Sequence, residues 1–304
     1  MRSLSLPEIR RALCSPDLIA VMREALAAQG RGECDTPMPM HLSPQAAEVH
    51  IKAGYRRGGR YFALKIAGTF PANAASGLST STGMMLLSSA ETGEPVAFLA
   101  DNGCLTDVRT AAVSAMIARE LGRGDTVLGI LGSGVQARLQ ALLHAEVLPL
   151  RRISLWGRSP ERAERCAREI RESLPGCEVT LAASPAAVAL DARLIVTATA
   201  SRGPLLHAAD VRPGTHISAV GADSPGKQEL DPAILRRAAL ILVDSRRQCA
   251  ALGELQHAPD QIERAVEFTG SPLQAAPEEI TVADFTGLGV EDLYIAEYVY
   301  TRCP

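Results

Sequence analysis

The chain has 304 residues, of which 47% are hydrophobic and 21% charged, with a formal net charge of −3. That composition fits a globular protein of one large or two ordinary domains. It offers no global attraction to nucleic acid or to an anionic membrane. No run approaches the roughly 18 apolar residues that span a bilayer, and no long apolar stretch follows Met1–Ser5.

The first strong pattern, "SPDLIAVMREALAAQG" from Ser15, predicts a helix. Ser15 is a suitable cap, Pro16 suits the first position, and Gly30 suits the end. Ile19, Met22 and Leu26 share one face. The prolines of "CDTPMPMHLSP" then exclude a continuous helix or a central strand. Between Val49 and Ala100 the pieces "VHIKAGY", "YFALKIAGTF", "GMMLLSSA" and "PVAFLA" read as strands. "RRGGR" and "ETGEP" mark turns between them. This half is expected to be a mostly antiparallel sheet with a helix. "LTDVRTAAVSAMIARELG" is a further helix ending near Gly122.

From Thr126 the pattern changes. Short apolar strands, "VLGIL", "RISLW", "EVTLA", "RLIVTATA", "HISAVG" and "ALILVD", alternate with helices. "SPERAERCAREI" is the clearest helix, with Ser159 as cap and Ala163, Cys166, Ala167 and Ile170 on one face. Such alternation predicts an α/β fold built on a Rossmann-type doubly wound parallel sheet. "EEITVADFTG" and "VEDLYIAEYVYTRC" add a strand and a closing helix. The expected division is an α+β unit of residues 1–118 and 285–304 beside a dinucleotide-binding unit of residues 119–284.

Seven cysteines are scattered without a C-x-x-C pair, and six histidines lie far apart. Neither a disulfide framework nor a metal site is expected, and a reducing cytoplasm fits.

Gly132, Ser133, Gly134, Val135, Gln136 and Ala137 match G-x-G-x-x-[G/A] between a strand and a helix. Gly132 permits the turn, Gly134 lets a pyrophosphate approach the backbone, and Ala137 allows close helix–sheet packing. The helix N-terminus adds free N–H groups. An ordinary tight βα turn is the competing reading. NAD-specific folds usually end the second strand with an acid that binds the ribose hydroxyls. Here Gly157, Arg158 and Ser159 follow "RISLW". Arg158 suits an adenine face and a 2′-phosphate, and Ser159 suits a hydrogen bond to that phosphate. NADP(H) is therefore the expected cofactor and NAD(H) the alternative; a plain surface arginine is the competing reading.

Three charged residues stand out elsewhere. Lys65 interrupts an apolar strand, so it either meets a buried anion or faces solvent. Arg109 falls in the first turn of a predicted helix, where a cation opposes the macrodipole. A bound anion would reconcile it; pairing with Asp107 or Asp101 would also do so. Asp223 follows the strand "HISAVG", at the carboxyl end where doubly wound sheets bind ligands, or else simply forms a turn.

Together, "LKIAGTFPAN", "ETGEPVAFLADNGCLTDVRTAA", "GILGSGVQA", "VTATAS", "VGADSPGKQELD" and "DFTGLGVEDL" resemble the ornithine cyclodeaminase/μ-crystallin family almost end to end. The resemblance implies a Rossmann domain beside a substrate domain whose sheet builds a homodimer. It implies that Lys65 and Arg109 bind a substrate carboxylate, that Lys65 also donates a proton, and that Asp223 is the acid/base or the iminium partner. It places Thr199 and Ser201 along the cofactor and Thr286 and Gly287 near the nicotinamide. Two positions depart from the family pattern. Many members carry an arginine where this chain has Met40 and His41, so either the carboxylate clamp is looser or His41 takes part in it. Ornithine cyclodeaminases carry a glutamate where counting back from Lys65 gives Lys52. A cation there repels a diamine by roughly 4 kcal/mol at about 4 Å and an effective dielectric near 20.

The expected activity is an NAD(P)H-dependent reductase of α-imino acids, either cyclic, such as pyrroline-2-carboxylate, or acyclic, such as iminosuccinate. In reverse it is an amino acid dehydrogenase. A cyclodeaminase of a diamino acid is the first alternative. A non-catalytic module binding NADPH and a ligand is the second.

Overall fold

Strand β1 (Arg2–Ser5), helix α1 (Leu6–Ala12) and helix α2 (Ser15–Gly30) open the chain in the computed structural model, which describes residues 1–45, 47–121 and 126–303. α2 covers the expected residues, but Cys14 rather than Ser15 holds its N-cap position. β1 and α1 have no sequence forecast. Their four-residue and seven-residue lengths are too short for a periodic signal.

Strands β2 (Cys34–Asp35), β3 (Met40–Leu42), β4 (Glu48–Arg56), β5 (Tyr61–Thr69), β6 (Ser81–Ser89) and β7 (Pro95–Ala100) follow, with a short 3-10 helix at Pro71–Ser76. They form one sheet with β1, in the order β1-β7-β6-β5-β4-β2, with β3 also pairing β4. All pairs are antiparallel except β1 with β7. The proline-rich stretch supplies only β2 and β3, short edge pieces, as its missing N–H donors require.

Residues 1–109 with 288–304 form one compact unit, and residues 110–287 form the other. The expected divisions at 118/119 and 284/285 lie nine and three residues away. Helix α3 (Cys104–Glu120) runs through the first division without a break. Its expected end near Gly122 lies outside the described residues.

The second unit contains β8 (Val127–Leu131), α4 (Val135–Val147), β9 (Arg152–Trp156), α5 (Pro160–Ser173), β10 (Glu178–Leu181), α6 (Pro185–Asp191) and β11 (Leu194–Thr197). It continues through β12 (Arg202–Leu206), β13 (His216–Ala219), β14 (Gln228–Leu230), α7 (Pro232–Arg237), β15 (Leu240–Val243), α8 (Arg246–Leu252), β16 (Val266–Glu267) and β17 (Thr281–Asp284). Eight strands build a wholly parallel sheet in the order β10-β9-β8-β11-β13-β17-β15-β16. This is the doubly wound architecture. β12 and β14 form a separate two-stranded pair, which the sequence reading did not contain. Leu131, Ile195, Ile217, Val243 and Val282 are buried along the strands and bind the sheet to its helices through apolar contact.

The last helix, α9 (Gly289–Arg302), belongs to the first unit and lies on β4 and β5. The approach is backbone to backbone: a Cβ on Gly54 would collide with Gly289, and one on Gly289 with Ala53. One row across this sheet, Lys52, Lys65, Met85, Leu99 and Leu4, is almost wholly buried. On the other face Leu64, Ile66 and Met84 are 37%, 42% and 42% exposed. Among the described residues no helix is long and apolar enough to cross a membrane.

Candidate active site

The close seat of α9 on β4 and β5 brings two acids to two cations inside the first unit. Lys65 Nζ lies 2.9 Å and 2.8 Å from the two oxygens of Asp292. Arg109 donates to Glu291 Oε2 at 2.8 Å, and its Nε lies 3.3 Å from Asp292. All four side chains are nearly wholly buried. Lys65 therefore does not face solvent, and Arg109 sits past the first turn because α3 begins at Cys104. The anion that each cation calls for is present in the protein itself. Burial pulls the Lys65 ammonium from 10.5 down to about 7; Asp292 opposes that shift, while Arg109 and Lys52 add to it.

Lys52 is buried and stands opposite Lys65 in the β4–β5 register. His41 is exposed on β3 and pairs with His50, their rings 4.6 Å apart and edge to face. The strand alternation puts His41, His50, Lys52 and Lys65 on one face of the sheet. Asp101 is also buried, within reach of the Lys65 charge. It accepts from Leu105 N at 2.8 Å and so caps α3. Burial raises its carboxyl, and Lys65 is among the groups that resist this.

In the second unit, the glycine turn opens a cavity of about 460 Å³ lined by Gly132, Ser133, Arg158, Ser159, Thr199 and Ser201, with Trp156, Gly157, Arg162 and Leu205. Gly132 has φ +137°, and a Cβ there would lie 2.6 Å from the Ala198 carbonyl oxygen. A Cβ on Gly157 would press on Ser133. At Gly134, the N-cap of α4, an added Cβ would meet nothing within 4 Å. That is the open approach to backbone N–H groups that a pyrophosphate needs. Val135 and Gln136 are the first two residues of α4. Ser159 accepts from Arg162 N and donates to Glu161 Oε2 at 2.8 Å. Its hydroxyl proton thus goes to an acid that the sequence reading, looking for one at the strand end, passed over.

Asp223 follows β13. Its Oδ1 accepts from Lys227 Nζ at 2.8 Å and from Ser224 Oγ at 3.2 Å. Thr286 and Gly287 follow β17, and both donate their N–H groups to Asp244 Oδ2, at 2.9 Å and 2.6 Å. Gln248 donates to Thr286 Oγ1 and to the Gly287 carbonyl. Among the described residues no group of three or more His, Cys, Asp or Glu side chains is placed to hold a metal ion.

Sequence reasoning missed Glu291, Asp292, Lys227, Asp244 and Arg162. Acids in a first helical turn are ordinary complements to the macrodipole, so "VED" carried no sign of buried partners. Lys227 is visible only once the turn after β13 folds it back four residues onto Asp223.

A doubly wound parallel sheet with a glycine turn opening a cavity defines the dinucleotide-binding class of fold. Residues 4–304 match the family model described as the ornithine cyclodeaminase/mu-crystallin family, and the chain belongs to that family. An uncharacterized cyclodeaminase of Sinorhizobium fredii is 36% identical over 292 residues, covering 91% of this chain and 87% of the relative. The iminosuccinate reductase of Paracoccus denitrificans is 35% identical over 259 residues, covering 82% and 79%. An archaeal alanine dehydrogenase dimer with bound NAD superposes with a TM-score of 0.88 at 28% identity, covering 99% of this chain and 95% of that one.

Proposed function

We propose that the protein is a nicotinamide-dinucleotide-dependent reductase of α-imino acids that runs in reverse as an amino acid dehydrogenase. One observation carries this reading: two buried cations, Lys65 and Arg109, held by the side-chain carboxylates of Asp292 and Glu291, in a chain that also carries the glycine-turn cavity. Lys65 and Arg109 take the substrate carboxylate in place of part of their contact with Asp292 and Glu291. The bound dinucleotide supplies or accepts the hydride. Lys65, with an ammonium pulled to about 7, exchanges a proton near neutral pH. Asp223 stabilises the iminium charge and manages the nitrogen proton, with Lys227 Nζ donating to its Oδ1 at 2.8 Å.

His41 and Lys52 share the sheet face of Lys65; His41 is assigned to the substrate carboxylate and Lys52 to its side-chain end. A second cation there favours a neutral or anionic side chain over a diamine. Gly132, Ser133, Gly134, Val135 and Gln136 are assigned to the pyrophosphate, Thr199 and Ser201 to the cavity wall, and Thr286 and Gly287 to the nicotinamide end. Arg158 and Arg162, both lining the cavity, favour NADP(H) over NAD(H) through a 2′-phosphate. The exposed apolar sheet face around Leu64, Ile66 and Met84 is assigned to a homodimer contact. A cytoplasmic setting is assigned from the scattered cysteines without a C-x-x-C pair.

The test is oxidation of NADPH and NADH at 340 nm with cyclic and acyclic imino acids. Turnover with either class supports the proposal. Ammonia release from a diamino acid without net NADPH consumption supports a cyclodeaminase instead. Tight NADPH binding without turnover supports a binding module.

A further inference from the structure

Glu229 lies on β14, wholly buried, and accepts four hydrogen bonds. Thr199 N and Thr199 Oγ1 donate to its Oε1, both at 2.7 Å. Thr197 Oγ1 and Gly221 N donate to its Oε2, at 2.7 Å and 2.9 Å. One carboxylate thus ties the exit of β11 to the exit of β13, and its lone pairs are fully used. Thr199 lines the cavity. Ala198, between the two threonines, carries the carbonyl against which the Gly132 turn closes.

Glu229 is itself gripped. Its own N–H and that of Leu230 donate to Glu254 Oε1 and Oε2, at 2.7 Å and 3.1 Å. The N–H groups of Glu254 and Leu255 donate to Asp284 Oδ1 and Oδ2, both at 3.0 Å. Three buried carboxylates therefore run in series from the end of β17 to the cavity wall, each holding two donors or more. A chain of buried acids is a costly way to gain stability, since apolar residues of similar volume often serve as well or better. It suits the task of holding loops in one arrangement.

We propose that Glu229 is a positioning residue for the dinucleotide, acting through Thr197, Thr199 and Gly221, with Glu254 and Asp284 fixing Glu229 in turn. This rests on the reading that the cavity binds a nicotinamide dinucleotide. Burial pushes the Glu229 carboxyl up from 4.5 and the four donors resist. Glu229→Gln keeps the shape but turns one acceptor oxygen into an amide donor facing other donors. Thr197→Val removes one hydroxyl at a wholly buried position and leaves the cavity lining intact.

The experiment titrates wild type, Glu229→Gln and Thr197→Val with NADPH and with NADH by fluorescence, alongside thermal unfolding of each ligand-free protein. Steady-state assays separate cofactor KM from kcat. The expected result is dinucleotide binding weakened tenfold or more in Glu229→Gln and about threefold in Thr197→Val, appearing in cofactor KM more than in kcat. Variants that fold and bind like wild type overturn the proposal. If Glu229→Gln does not fold, Thr197→Val decides: wild-type affinity overturns the proposal, and a threefold loss supports it. A wild type that binds neither dinucleotide overturns the underlying reading, and this inference with it.

Discussion

Apart from Asp101, which caps α3 from within the first unit, the two units bury charge in different ways. In the first, Lys65 and Arg109 meet Asp292 and Glu291, side chain against side chain, with partners some 180 or more positions apart in sequence. In the second, Glu229, Glu254, Asp284 and Asp244 bind backbone N–H groups at strand ends. A carboxylate on a backbone donor is part of the fold, because an N–H left unpaired costs about 1–3 kcal/mol. A carboxylate on a side-chain cation leaves the backbone pairing untouched when a second carboxylate comes to share that cation. On the function proposed above, the first kind serves substrate binding and the second fixed geometry. Asp223, which takes Lys227 and Ser224 side chains, falls with the first kind although it lies in the second unit.

That assignment makes Asp223→Ala the most damaging change for activity. Loss of a general acid or base lowers turnover on the order of 10²–10⁴-fold, with folding and NADPH affinity retained. Measured kcat for imino acid reduction checks this; a value within threefold of wild type removes Asp223 from the mechanism.

Breaking the ion pair comes next. Asp292→Ala strands the Lys65 ammonium, and truncating one partner of a buried pair costs about 3–5 kcal/mol. The folded-state pKa of Lys65 lies below its unfolded value, so the unfolded chain binds the extra proton between about pH 7 and 10.5. Stability consequently rises with pH across that window. The penalty of Asp292→Ala is largest near pH 6, where Lys65 holds its proton, and shrinks by pH 9. Asp244→Asn, which disturbs backbone clamps instead, loses about 1–3 kcal/mol. Urea unfolding at the two pH values separates the cases, and an equal loss for Asp292→Ala at both contradicts the charge argument.

The second unit was the more legible in sequence, for a physical reason. Its strands pack on both faces, so "VLGIL", "RISLW" and "ALILV" appear as bare apolar runs, and the glycine motif falls at a strand end. Caps at Ser159 and Ser184 are local and easily read; only the first was read. In the first unit the sheet strands were legible from turns and composition, but β1 and α1 are too short to announce themselves. Lys65 and Arg109 stood out because a cation in an apolar run is conspicuous. Their partners did not, because acids at a helix start are common and only the crossing of Gly54 with Gly289 brings them inside. Glu229 and Glu254 sit in "KQELD" and "GELQH", which resemble solvated turns. Their role depends on which strand ends meet, and no local pattern encodes that.

Two intermediate effects sharpen the contrast between the units. Arg158→Ala weakens NADPH binding about 10- to 100-fold through the lost charge-assisted hydrogen bonds, and shifts NADH less than threefold. Equal loss for both dinucleotides counts against a 2′-phosphate contact. In the first unit, Lys65 loses its proton as pH rises through about 7, and with it the charge that attracts a carboxylate. The value of kcat/KM is expected to fall about tenfold per pH unit on the alkaline side. Lys65→Gln lowers it throughout and flattens that limb; a persistent break near pH 7 in the variant assigns the titration elsewhere.

The smallest effect on stability belongs to Gly134, and in this the two glycines of the turn part company. Gly132 is held by the fold: its φ of +137° and the Ala198 carbonyl leave no room for a Cβ. Gly134 is not: φ is −97° and nothing lies within 4 Å of an added Cβ. Gly134→Ala is therefore expected to shift stability by less than about 1 kcal/mol, the scale of an N-cap change. Its methyl group nonetheless stands where a pyrophosphate would approach the α4 N-terminus. An unchanged melting temperature with dinucleotide binding weakened tenfold or more is the expected outcome by thermal unfolding and fluorescence titration. Unchanged binding would move the pyrophosphate away from this turn, whereas a large loss of stability would show that Gly134, like Gly132, serves the fold.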